Sequence, residues 1–162
     1  MAFDAFLKID GIPGESTDDK HKDWIEVLSY SCGVSQPASA TASGTTGAGH
    51  QRADFQDLQI VKHLSKASPK IALACSNGTP AATVILELCR SGGEKLKYME
   101  YKLTNAIISS VVDAGGGGGE VTETVTFNYG KIEWTYTQQK RADGSGGGQV
   151  AAGWDLEGNK KV

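Results

Sequence analysis

The chain has 162 residues, with 16 lysine and arginine against 19 aspartate and glutamate, for a net charge of −3. That balance gives no general electrostatic reason to bind nucleic acid or an anionic membrane surface, and no stretch approaches the 18 or so apolar residues that span a bilayer. At 17.0 kDa a single domain over residues 1–162 is expected, large enough to bury about 70% of its unfolded surface and fold alone.

Phe3, Ala5, Leu7 and Ile9 alternate with Asp4, Lys8 and Asp10, which predicts a first strand ended by Gly11-Ile12-Pro13-Gly14. Asp4 and Lys8 also interrupt the opening apolar run, so no secretory signal peptide is expected. A charged turn, Glu15 to Asp23, leads to a second strand from Trp24 to Gly33, whose Trp24, Ile25, Val27 and Leu28 are apolar on both parities and predict cover on both faces. Gln36 to Arg52 is a long Ala/Ser/Thr/Gly tract without periodicity. Such loops are uncommon in compact domains, and this one is either disordered or docks on something.

Asp57 to Asn77 places Ile60, Val61, Leu64, Ile71, Ala74 and Cys75 on one stripe and predicts the only helical region. Ser68-Pro69 divides it as an N-cap followed by a proline in the first turn, and Asn77-Gly78 supplies the stop. Thr83 to Arg90, the turn Ser91-Gly92-Gly93-Glu94 and the long strand Lys95 to Val112 form a hairpin. In the long strand Leu96 and Tyr98 share one parity, whereas Met99, Tyr101 and Leu103 share the other.

From Glu120 to Tyr136 the alternation is clean and then inverts once. Val121, Val125, Phe127 and Tyr129 are apolar before Gly130; Ile132, Trp134 and Tyr136 are apolar after it. One added residue at Gly130 would do this, which predicts a β-bulge and a strand that bends between two sheets. Val150 to Leu156 predicts a short closing strand. The fold class is therefore mainly β (α+β), a small β-barrel of two antiparallel sheets with one helical segment on its side.

Candidates for chemistry are sparse. The 21 glycines concentrate in Ser43 to Gly49, Gly115 to Gly119 and Gly144 to Gly148, none followed by the Gly-Lys-Ser/Thr of a phosphate loop. Cys32, Cys75 and Cys89 lack metal spacing and read as buried free thiols in a reducing compartment. His21, His50 and His63 read as solvated, with no second ligand at metal spacing. Glu120 and Glu123 are poor acid–base candidates. Glu123 lies on the apolar parity, where an inward charge guards an edge or sits at a subunit contact. No catalytic residue, cofactor or metal is assigned.

Several motifs carry a family resemblance over nearly the whole chain. They are the opening Met-Ala-Phe-Asp-Ala-Phe-Leu-Lys-Ile with Gly14-Glu15-Ser16; Asp57-Leu58 with Lys62, then Lys66-Ala67-Ser68-Pro69; and Gly92-Gly93-Glu94. Glu120 with Val125 to Tyr129, Lys131 to Tyr136, and Gly153-Trp154 complete the set. In this order the chain resembles Hcp, the haemolysin-coregulated protein family of bacterial type VI secretion systems.

The resemblance implies a barrel of two sheets with a flanking helix and no enzymatic activity. It also implies six-membered homo-oligomeric rings that stack into a tube propelled by a contractile sheath, capped by a spike protein of VgrG type, and able to carry small effector proteins. Closing such a ring needs a heterologous interface, which the resemblance places in the loop, at Pro37, Thr45, Gly47, Gly49, His50 and Arg52. Stacking is expected at Gly92, Gly93, Glu94, Asp155 and Glu157, and a lumen position at Ser31. A protein made in the cytoplasm and exported by this machine is expected. Ser65 and Cys32 depart from the residues often seen in relatives, which bears on lumen chemistry. The rival reading is a monomeric barrel that binds a small ligand in an apolar interior.

Overall fold

A computed structural model describes residues 3–37, 52–92, 95–140 and 146–162. In chain order the elements are β1 (Phe3–Ile9), β2 (Ile25–Val27), β3 (Ser29–Ser31), β4 (Val34–Ser35), β5 (Asp54–Phe55), β6 (Leu58–His63) and α1 (Ser68–Asn77). They continue as β7 (Ala81–Arg90), β8 (Lys97–Ala114), β9 (Thr122–Gln139), β10 (Gly146–Asp155) and β11 (Lys160–Lys161). Nine strands form one antiparallel sheet ordered β11-β10-β9-β8-β7-β1-β2, with β6 also paired to β9 and β3 to β6; β4 and β5 pair separately. The mainly β expectation with one helix holds. The sheet curls so that its β2 end and its β6-β3 branch meet in the segment 25–31, but β2 pairs only with β1 and β3 only with β6. The sheet is thus not closed into a barrel. Leu28, between β2 and β3, donates its N–H to Val61 O at 2.7 Å while its side chain is half exposed, so the expectation of cover on both faces fails there.

Residues 58–63 are a strand and not helix. Leu58, Ile60 and Lys62 point inward, and Gln59 and His63 outward. This is period two, concealed in the sequence because one inward residue is a lysine. The helix begins at Ser68 with Pro69 in its first turn, and its N-cap is Ala67, without a side-chain cap bond. Ser68 is therefore not the N-cap. Its Oγ accepts from the Ser65 N–H and from Lys62 Nζ, which occupies the group that would otherwise cap. The stop is as expected, with Gly78 at φ 68° donating to Ala74 O.

β9 organises the sheet. From Thr122 to Tyr136 it pairs with β8, its first half also with β6 and its second half with β10, so Gly130 stands where one neighbour gives way to the other. The inversion is real: Val125, Phe127 and Tyr129 are buried before it and Ile132 after it. A bulge at Gly130 is not what makes it. Thr104 pairs with Lys131 and Ala106 with Tyr129, so the register passes Gly130 unshifted. β8 inverts at the same place, from Leu103 to Ala106 and Ile108, and Asn105 there has φ 52°. Asn105 and Gly130 face each other and break the pleat together, so both strands change their buried face without losing register. True register shifts lie elsewhere, between Leu88 and Cys89 opposite Tyr98, and between Ile108 and Ser110. The first accounts for the parity change at Tyr98.

The core is formed by Leu7, Leu58, Ile60, Ile71, Val84, Leu86, Leu103, Val125, Phe127 and Ile132, all removed from solvent. From α1 only Ile71 is buried, and Leu73 is 62% exposed.

Candidate assembly surfaces and adjacent polar clusters

Glycine at position 14 lets the chain cross Trp24 at backbone contact, because a Cβ there would strike the Trp24 carbonyl and Ile25 Cα. Gly14 N–H donates to Asp23 O and Ser16 N–H to Trp24 O, which fastens the charged turn. Glu15 then accepts from the Lys66 N–H at 2.7 Å, so two of the sequence motifs, 14–16 and 66–69, meet in space.

The same turn delivers His21 inward, contrary to the solvated expectation; it is 3% exposed. Its ring stacks on Phe6 at 4.2 Å and meets the edge of Trp24. Nδ1 lies 2.7 Å from Asp18 Oδ2 and Nε2 lies 2.6 Å from Glu87 Oε2. Each carboxylate is shared with a lysine: Asp18 Oδ1 with Lys95 at 3.0 Å, and Glu87 Oε1 with Lys97 at 3.4 Å. The bonds from His21 and Lys95 hold the Asp18 carboxyl below its ordinary range. Cys89 Sγ, buried, is 3.9 Å from His21 Nε2, and its thiol is pushed up to about 11 by burial and by the nearby Glu87, Asp18 and Asp4 charges. His21, Glu87 and Cys89 have ligand atoms within 4.8 Å of one another and are the group of described residues that can hold a metal ion. One signal was available in the sequence: Glu87 and Cys89 share the β7 face opposite Val84, Leu86 and Leu88.

Glu123 is likewise inward, and it guards no edge, because β9 is paired there with both β6 and β8. Lys62 Nζ lies 3.1 Å from its Oε1, with the two side chains 0% and 1% exposed. Lys62 also donates to His63 O, Ser65 Oγ and Ser68 Oγ, whereas Glu123 Oε1 meets it as an ion pair and not as an aligned hydrogen bond. Burial raises the Glu123 carboxyl, a bond to Asp113 adds to this, and Lys62 opposes it. This network joins β6, β9 and the approach to α1.

Of the expected interface residues, Thr45, Gly47, Gly49 and His50 lie outside the described residues, as do Gly93 and Glu94. Pro37 is exposed. Arg52 donates from Nη2 to Leu156 O, tying the chain to the C-terminal turn. Gln36 and Arg52, near either end of the undescribed stretch, both line a groove of about 400 Å³ with Phe55, Trp134 and Trp154. Gly92 takes φ 108° in the β7–β8 turn. Asp155 Oδ1 accepts from the N–H groups of Glu157 and Gly158, closing the β10–β11 turn, and Glu157 is exposed. These two turns are not adjacent: Asp155 pairs with Lys131 in the row of Thr104, whereas Gly92 lies in the turn that leads into the Lys97 end of β8, a separation of about 20 Å along the strand. Ser31 is exposed on β3, opposite Gln59. Large apolar side chains stand in solvent on separate elements, including Val34 on β4, Leu73 on α1 and Val112 on β8.

Comparison with known proteins gives concordant results. Residues 6–136 match the family model described as type VI secretion system effector, Hcp. The chain is 38% identical over 162 residues to protein hcp1 of Pseudomonas aeruginosa, covering 98% of each. A solved structure of a type six secretion system protein superposes with TM-score 0.92 at 38% identity, over 99% of this chain and 100% of that one. Hcp1 from Salmonella typhimurium superposes with TM-score 0.83 at 33% identity, over the full length of both.

Proposed function

The chain belongs to the Hcp family of type VI secretion proteins, and from that premise we propose that it is a structural subunit of the secretion tube. Six copies close into a ring through the 36–52 loop, rings stack through the Gly92–Glu94 turn and the Asp155–Glu157 turn, and the tube leaves the cell with a spike of VgrG type inside a contracting sheath. The observation that carries this reading is likeness over the whole chain, not over one motif. Two features support it physically. A heterologous interface needs two different patches on one chain, and Val34, Leu73 and Val112 expose apolar surface on separate elements. The groove flanked by Gln36 and Arg52 lets the intervening loop leave from a fixed base. The lumen, with Ser31 as a lining candidate, would receive small effectors. The work of the protein is assembly and transport, without a reaction of its own.

A small-ligand barrel would require an open apolar interior, whereas Leu7, Leu58, Phe127 and Ile132 fill this one. Deleting Ser43 to Gly49 tests the ring directly: folded monomers are expected by circular dichroism and negative-stain imaging. Intact rings after that deletion would refute the role given to the loop.

A further inference from the structure

We propose that His21, Glu87 and Cys89 form a binding site for a thiophilic divalent cation of the zinc type, one that pins the 14–24 turn to β7. This goes beyond assembly and does not depend on it. With Nδ1–H given to Asp18 Oδ2, His21 presents a lone pair on Nε2 to Glu87 Oε2 at 2.6 Å. Two acceptors at that distance need a positive centre between them, either a proton or a metal ion. Cys89 Sγ, 3.9 Å from the same nitrogen, supplies a third donor, and the N, O, S set suits zinc, not magnesium or calcium. Asp18 stands where an outer carboxylate orients a ligating imidazole, and the stack on Phe6 fixes the ring plane. Lys95 and Lys97 engage the other oxygens, Asp18 Oδ1 and Glu87 Oε1, leaving Oδ2 for His21 and Oε2 for the ion.

Binding replaces the Cys89 thiol proton and the proton shared by His21 and Glu87, both released to solvent. It widens the Nε2 to Oε2 separation to about 3.3 Å, as two ligands near 2.0–2.1 Å in tetrahedral geometry require.

The test is titration of the chelator-stripped full chain with Co2+ as a spectroscopic stand-in, followed by displacement with Zn2+. One ion per chain and a thiolate-to-cobalt charge-transfer band are expected. In the Cys32→Ser, Cys75→Ser double variant, Cys89 is the sole thiol and the band persists. In Cys89→Ser it is lost, and in Asp18→Asn the affinity falls about 10- to 100-fold. Absence of the band in the wild type, its loss from the folded double variant, or its survival in Cys89→Ser overturns the site and leaves a proton as the bridge.

Discussion

Lys62 and Glu123 face each other at 3.1 Å with both side chains withdrawn from water. Removing one partner of such a pair strands the other, at a typical cost of about 3–5 kcal/mol. Lys62→Met should destabilise the fold on that scale in urea denaturation at neutral pH, and Lys62→Met with Glu123→Leu should recover much of the loss. The sign with pH is set by Glu123. Its carboxyl is raised chiefly by burial, so its contribution is complete below the unfolded value of 4.5 and declines as pH rises through the folded one. Loss of Lys62 raises it further, and the cost of Lys62→Met should therefore grow from pH 4 to 7. A pH-independent cost would contradict the buried pairing.

Gly14→Ala places a methyl against the Trp24 carbonyl and Ile25 Cα, which are backbone atoms without freedom to turn away. A loss of about 1–3 kcal/mol is expected as a lowered urea midpoint with unchanged slope. Gly116→Ala meets open space and should change stability by less than about 0.5 kcal/mol.

Asn105, at φ 52° opposite Gly130, carries the change of buried face on β8. Asn105→Gly should be nearly neutral, while Asn105→Val should cost about 1–2 kcal/mol because a left-handed backbone crowds Cβ against the carbonyl. Gly130→Ala meets first the end of the Glu157 side chain, which can swing away, so its effect should be smaller than that of Asn105→Val. Chemical denaturation of the three variants ranks them.

The strand pattern was legible wherever inward positions were apolar, as in β1, β7 and β9. It failed at 58–63 because Lys62 occupies an inward position, and only its partner 61 residues later makes that tolerable. The inversion at Gly130 was visible as a pattern. Its cause was not, since the compensating break lies at Asn105 on the neighbouring strand. His21 was misread for the same reason: what buries it is Phe6, Glu87 and Cys89 from β1 and β7, and a spacing search within one segment cannot gather them. The loop expected to join neighbours lies mostly outside the described residues, so its role rests on family likeness.

Asp18 ties His21 to Lys95, and these bonds lower its carboxyl. A lowered carboxyl contributes stability that is complete above the unfolded value of 3.8 and is lost as pH falls through the folded value. Asp18→Asn should be less stable than the wild type at neutral pH in the presence of chelator. The difference should shrink as pH drops below 3.8, as followed by acid titration of the circular dichroism signal.

Light scattering on the intact purified chain tests assembly into rings directly. A particle of six times the 17.0 kDa chain mass, stable on dilution, is predicted. A 17.0 kDa species that persists over a wide concentration range would contradict it.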